Sequence, residues 1–317
     1  MELRRSEHVV IGALRKVLGA WQRFWFESFL PEKWRIFRAV MCSVMLVFYS
    51  FRQSELLDYF SRSKGLPIPD PSAFVPMDYR WNLFEVFSGT FLATDLGLTL
   101  AHAFYLVGLV LLILGIFPRA VSAVCLALHI SFIHANVGAV YGADLIFTFF
   151  LFFFCLATER SAPDSAARWV SSAAMRMAQV QLCIIYAYSG LEKLKGPVWW
   201  KGEAIWNVIA NPQLALFDFT WMSHFPLFLT VVAYLTLLWE VYFPVLIWLP
   251  RWRGPFLALG VLFHGSIGVM VKLIFFSLLM MSAYVLFLSD REIAFLRRLF
   301  HRVPIAGRFF RPLSIET

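Results

Sequence analysis

The chain has 317 residues, 60% of them hydrophobic and only 15% charged, with a formal net charge of +8. A soluble globular domain is closer to half apolar and a quarter charged, so an ordinary water-soluble protein is excluded. The basic residues are scattered between long apolar blocks, which argues against a nucleic-acid footprint and for a chain whose main solvent is lipid.

Residues 9–28, VVIGALRKVLGAWQRFWFES, place Val10, Leu14, Val17, Leu18, Trp21, Phe24 and Trp25 at helical spacing, with Arg15, Lys16 and Arg23 off that stripe. A basic amphipathic helix with aromatics on its apolar side reads as one lying in the membrane interface. It lacks a small-residue cleavage site, so no cleavable signal peptide is expected. Apolar spans follow at 36–57, 98–117, 120–135, 143–158, 173–192, 226–249, 255–271 and 273–289. At about 20 residues per crossing, they predict an all-α polytopic membrane bundle of about eight helices. The bundle occupies residues 33–290, between an amphipathic interfacial segment at 1–32 and a basic tail at 291–317.

Charge fixes the expected orientation. With the N-terminus in the cytoplasm, only Arg52, Arg62, Lys64, Arg80, Lys193, Lys195, Lys201 and Lys272 of the 28 Lys+Arg residues fall outside. That asymmetry is what the positive-inside rule demands, and an even number of spans returns the C-terminus to the cytoplasm.

Two outer loops are long. Residues 58–97 hold LPIPDPSAFVP and MDYRWNLFEVF, and residues 193–225 hold Trp199, Trp200, Trp206 and Trp221. Long connections are usually functional or disordered; these are too aromatic for disorder and are expected to fold down as a cap. Cys42, Cys125, Cys155 and Cys183 all lie in apolar segments without a CxxC, so neither disulfides nor a thiolate metal site is expected.

Ionisable groups inside spans are costly and are the first functional candidates. In YAYSGLEKLKGPVWW, Lys193 shares a helix face with Gly190, Tyr186 and Cys183, and Gly190 leaves room for another group to approach. An amine partly removed from water can serve as a general base, whereas a snorkelling lysine would only fix helix depth. Glu240 in LLWEVYFPVLIW and His264 in VLFHGSIGVMVK lie at comparable depths, with Gly260, Gly265 and Gly268 around the histidine. A Glu240–His264 hydrogen bond is the economical expectation, serving either catalysis or helix locking. LHISFIHANVGAVYGAD predicts a polar hairpin built from His129, His134, Asn136, Tyr141 and Asp144 on the Lys193 side. His129 and His134 are five apart, a spacing that fits neither HExxH nor an oxygenase histidine box, so no metal is expected. P-loop, GxSxG and GxGxxG contexts are missing as well.

Taken together, YAYSGLEKLKGPVWWKG, LWEVYFPVLIW and LFHGSIGVMVKLIFFSLLMMSAYVLFLS resemble the vitamin K-dependent gamma-carboxylase superfamily, whose short bacterial members are called horizontally transferred transmembrane domain proteins. RIFRAVMCSVMLVFY and VYGAD fit the same pattern, and the likeness covers roughly residues 33–290. The resemblance implies that Lys193 deprotonates a reduced naphthoquinone of the vitamin K or menaquinol type. The oxygenated product then serves, in the carboxylases, to draw a proton from glutamate so that carbon dioxide adds. It implies that Asn136 and His134 orient the quinol, and that Glu240 and His264 occupy the family's later polar positions. Tyr186, Tyr188, Trp199, Trp200 and Tyr141 are the expected pocket walls, since an aromatic lining suits a flat ring.

Val137 stands where the carboxylases have a histidine, and their large soluble C-terminal portion has no counterpart here. The expectation is therefore an outer-facing, quinol- and oxygen-dependent membrane enzyme in a bacterial cytoplasmic membrane. Whether carboxylation or another peptide modification is coupled to it stays open. The competing reading is a non-catalytic membrane partner that binds a peptide or lipid through its aromatic outer loops, of the toxin-maturation or immunity type. A transporter is disfavoured, because no inverted repeat or matched pair of broken helices is visible.

Overall fold

The computed structural model describes residues 2–61, 82–159 and 165–300. The Pro-rich turn of the first outer loop and the residues after 300 lie outside those segments. The chain opens with α1 (Glu2–Phe26) and α2 (Pro31–Arg52), followed by the short α3 (Leu56–Phe60) and α4 (Leu83–Val86). The bundle continues through α5 (Asp95–Leu114), α6 (Pro118–Ala135), α7 (Gly142–Leu156) and α8 (Ala166–Lys195). After the short α9 (Pro197–Trp200) and α10 (Ala204–Ile209) come α11 (Pro226–Leu246), α12 (Pro250–Met270), α13 (Ile274–Ala283) and α14 (Asp290–Phe300). Among the described residues the one extended pairing is an isolated antiparallel bridge between Ala215 and Val271. The protein is an all-α polytopic membrane bundle.

Each expected span is met by a helix, but the count of eight equal crossings is corrected. By length and composition α2, α5, α6, α11 and α12 can each cross a membrane; residues 274–287 and 290–299 add a sixth only as a pair bent by 117°. α7 is apolar but has 15 residues, short of the roughly 20 that a full crossing needs. α8 has the length, 30 residues, but carries Arg168, Arg176, Gln179 and Gln181 along it. Both helices bury one face against neighbours and expose another, with Phe149 and Phe152 of α7 and Ile184 and Leu191 of α8 on the surface.

The surface is as apolar as the core, which is the mark of a lipid solvent. On α5, Leu98, Ala101, Tyr105, Leu109 and Leu112 are buried, while Leu96, Leu100, Phe104, Val107 and Leu114 on the opposite side are exposed. At one end of the bundle the buried Arg38 closes the packing. Its Nε donates to the Leu112 carbonyl at 2.8 Å in the last turn of α5, beside the Gly115 amide, and its guanidinium meets Glu159.

In their described parts the two long loops fold onto the helices. Leu83 N donates to Ser131 Oγ at 3.1 Å, and Phe84 lies against Phe132. Beyond α10 the chain is stitched to the α12–α13 turn, with Leu216 N donating to the Met270 carbonyl at 2.9 Å and Lys272 N to the Leu214 carbonyl at 3.0 Å. In this second cap segment Asp218 accepts from the Thr220 amide and hydroxyl, and those bonds hold its carboxyl below the ordinary range.

What positions the candidate site is the crossing of α8 over α11. A Cβ at Gly190 would sit 3.0 Å from Val241 N and 3.2 Å from the Glu240 carbonyl carbon, so backbone meets backbone there. Gly260 does the same for side chains, since a Cβ there would collide with Tyr284 and come 2.8 Å from Trp239. Gly268 faces Ser277 at ordinary contact distance, whereas Gly265, expected in the same role, meets nothing within 4 Å.

This contrast is testable. Gly190→Val is expected to cost ~1–3 kcal/mol through overpacking. Gly265→Ala should be neutral or slightly stabilising, because alanine favours the helix by about 1 kcal/mol. Unfolding by SDS titration of both variants measures the difference; equal effects would contradict the close crossing.

Candidate functional site

α8 reaches Lys195 and stops because Pro197 disfavours helical backbone at Gly196 and opens α9 instead. The last turn of α8 therefore delivers Lys193 to the rim of the bundle, one turn beyond the Gly190 crossing. Across that crossing stands Glu240, and the two side chains meet. Lys193 Nζ donates to Glu240 Oε1 at 2.9 Å; Oε2 lies 2.7 Å away but outside hydrogen-bonding angle. Nζ also donates to Ser189 Oγ at 2.6 Å and lies 5.4 Å from the centre of the Trp199 ring.

The pairing makes physical sense. A carboxylate this buried would cost several kcal/mol if unpaired, and Glu240 is 3% exposed. Pro244 lacks the amide that would bond the Glu240 carbonyl within α11, so this stretch of helix is polar in backbone as well as side chain.

The expected Glu240–His264 bond is not formed. His264 Nε2 instead lies 2.8 Å from Tyr186 Oη, which in turn lies 2.8 Å from Tyr284 Oη. Helix rotation explains the exchange. Tyr186 and Lys193 share a face of α8, so Tyr186 takes the histidine and Lys193 the glutamate. His264 is buried among Phe263, Phe276, Trp239 and Tyr284, and its Nδ1 has no hydrogen-bond partner in the protein.

These groups line a cavity of about 340 Å³. Ser189, Lys193, Glu240, Tyr186, His264 and Thr236 contribute its polar atoms; Ile205, Val208, Ile267, Met270, Phe276 and Met280 are among its apolar walls. A mostly apolar cavity with a few convergent polar groups is the usual form of a small-molecule site. A wider groove of about 820 Å³, walled by α7 and α8, opens beside it and shares Ile185, Ser189, Lys193, Trp199 and Phe276. Lys193 and Trp199 thus stand on the threshold between groove and cavity.

Five residues singled out in the sequence line the cavity: Lys193, Glu240, His264, Tyr186 and Trp199. Tyr188 lines only the open groove. Trp200 is exposed and donates from its indole to the Leu194 carbonyl at 2.7 Å. Asn136, His134 and Tyr141 are elsewhere. Asn136 gives both ends of its amide to backbone, donating to the Tyr59 carbonyl at 2.7 Å and accepting from Gly138 N at 3.0 Å. It lines a separate space of about 20 Å³ with Asp144 and Arg52. Tyr141 caps α7, its amide donating to Asp144 at 2.7 Å, and His134 is not among the residues lining the cavity.

The hairpin is a second, hydrogen-bonded network. His129 Nε2 faces the Asp144 carbonyl at 2.9 Å, which assigns the proton to Nε2 and leaves Nδ1 to accept from Tyr105 at 3.0 Å, with Tyr49 Oη 3.2 Å away. Tyr49 also donates to the Asp144 carboxylate, and Arg52 pairs with the same group at 3.4 Å. Sequence reasoning missed Ser189, Thr236 and Tyr284. Ser189 had a legible signal, four residues before Lys193 on the same face; Tyr284 had none, because its role depends on how α13 folds against α8.

No family model and no solved structure matches the chain. It is 30% identical over 119 residues to the sporulation-delaying protein SdpB of Bacillus subtilis (strain 168), a stretch that covers 36% of this chain and 37% of that protein. The matched segment is thus well under half of the relative's length.

The buried pairing of Lys193 has a chemical consequence. Its side chain is 21% exposed and held by Glu240, whereas Lys195 is 71% exposed and holds only the surface Glu192. Breaking a charge-assisted hydrogen bond costs ~1.5–3 kcal/mol, so acetylation of Lys193 should run about tenfold or more slower than that of Lys195. Peptide mass spectrometry after timed labelling reads the ratio, and equal rates would contradict the geometry.

Proposed function

We propose that the protein is a membrane enzyme that binds a reduced naphthoquinone in the cavity beside Lys193 and activates it toward oxygen. The observation that carries this reading is the Lys193–Glu240–Ser189 cluster in the wall of an apolar cavity. The fit supports it in two ways. The walls suit a flat apolar ring, and the lysine cluster and His264 are among the polar residues that line the cavity. When bound, a quinol supplies a hydroxyl whose loss of a proton makes the ring reactive to oxygen.

The residues supply the rest. The Lys193–Glu240 pair is neutral as a unit, so it can take a proton from a nearby hydroxyl and leave a cation facing the anion formed, without adding a net buried charge. Ser189 fixes the amine's direction, and Trp199 shields it from the outer side. Tyr186 and Tyr284 hold His264 in place through its Nε2. Asn136 has no part in this reading, because its amide is already committed to backbone. The site faces outward in this proposal, on the charge asymmetry of the loops.

The second reading is a non-catalytic partner that binds a peptide or lipid. It is favoured by the exposed Phe217, Trp221, Phe225 and Trp200 of the cap, an apolar surface rimming the same end of the bundle.

Aerobic incubation of the purified protein with a chemically reduced naphthoquinone separates the two. Quinone epoxide should form, fall by ~100-fold or more in Lys193→Ala, as loss of a general base implies, and persist in Trp221→Ala. Epoxide that never forms, or forms equally in Lys193→Ala, would overturn the enzymatic reading.

A further inference from the structure

At the end of the bundle away from the Lys193 cavity lies a pocket of different character. It encloses about 280 Å³ between the α1–α2 connection, α8, the start of α12 and the start of α14. Lys33, Arg176 and Arg253 converge on it, with Ser28, Ser172 and Ser289 among its other polar residues. Arg253 and Arg176 both act on the Lys33 ammonium as like charges, so the three cations feel one another across this space.

Arg176 donates to the Phe24 carbonyl and to Gln179 Oε1 at 2.9 Å, and the ion pairs around the pocket are long. Lys33 reaches Asp290 at 3.7 Å and Arg176 reaches Glu27 at 3.5 Å, and both carboxylates are about two-thirds exposed. Long ion pairs with solvated carboxylates contribute little and open readily. Glu27 and Asp290 line the pocket with the three cations, and Glu292 acts on Arg253 and Lys33 from beside it.

The surroundings point to a lipid surface. α1 docks through Phe24, which lies 5.4 Å from Trp248, and the Arg176 guanidinium stacks 5.0 Å from the Phe24 ring. The other side of α1 carries Leu14, Val17, Leu18 and Trp21, all exposed. α14 turns away at 117° from the preceding span, burying Ile293 while Phe295 and Leu299 stay exposed. Two amphipathic helices with outward apolar stripes therefore flank the pocket, a pattern that seats helices at the headgroup level of a bilayer.

We propose that this pocket binds the phosphate of an anionic glycerophospholipid, with Lys33, Arg176 and Arg253 as the charged contacts and the acyl chains lying along the apolar faces of α1 and α14. Basic pockets between helices on the positively charged side of a membrane protein are suited to such headgroups. The lipid would tie α1, α8, α12 and α14 together, and the site is independent of the Lys193 cavity.

Native mass spectrometry of the full-length protein in detergent, titrated with short-chain phosphatidylglycerol, phosphatidylcholine or inorganic phosphate, tests this. A stoichiometric phosphatidylglycerol adduct is expected, about tenfold weaker in Arg253→Gln and weaker still in Arg176→Gln/Arg253→Gln, as loss of a charge-assisted contact implies. Arg119→Gln, on the same side but outside the pocket, should bind as the unaltered protein does. Arg253→Gln alone keeps the test valid if loss of Arg176 unfolds α1. Equal binding of phosphatidylcholine, unchanged binding in Arg253→Gln, or inorganic phosphate binding as tightly as the lipid would each overturn the proposal.

Discussion

The contact between α8 and α11 at Gly190 is the constraint on which the rest of the Lys193 end of the bundle depends. Without a side chain at 190 the two backbones approach to contact, and only then can the short reach of Glu240 meet Lys193 one turn along. A buried carboxylate is tolerated because that amine is there; the amine is held from bulk water because that carboxylate is there. Each group would be a liability alone. Together they place a polar pair in an apolar wall, next to a cavity large enough for a ring-sized ligand.

Two other polar clusters of the bundle are spent on architecture. Arg38 and Glu159 close one end, and Arg52, Asp144, Tyr49, Tyr105 and His129 tie α2, α5, α6 and α7 near the other. In both, charges and hydroxyls are absorbed by partners within the protein. The cavity differs, since the Lys193 cluster stands at a space that the protein itself does not fill. That difference, more than the presence of ionisable residues in spans, separates the candidate site from structural polarity.

Much of this was legible in the sequence. The long apolar blocks gave the helices, Gly196-Pro197 gave the end of α8, and the depth of Glu240 and His264 marked both as residues requiring partners. The face shared by Tyr186, Gly190 and Lys193 was also readable, because helical periodicity is local. Which partner each residue takes was not. Glu240 and His264 looked like a natural pair at equal depth, yet depth says nothing of rotation, and the rotation of α8 inserts Tyr186 between α11 and α12. Asn136 was misplaced for a related reason. Asparagine before a tight hairpin is as able to bind its own backbone as a ligand, and only the folded hairpin shows that it did.

The pairing of Lys193 with Glu240 is open to direct measurement by a double-mutant cycle, using Lys193→Met, Glu240→Gln and the double variant, with stability read by SDS titration. Either single change strands the other group in an apolar wall, while the double change strands nothing. A favourable coupling of ~1–3 kcal/mol is therefore predicted. Additive losses, with no coupling between the two positions, would show that the amine and the carboxylate do not meet.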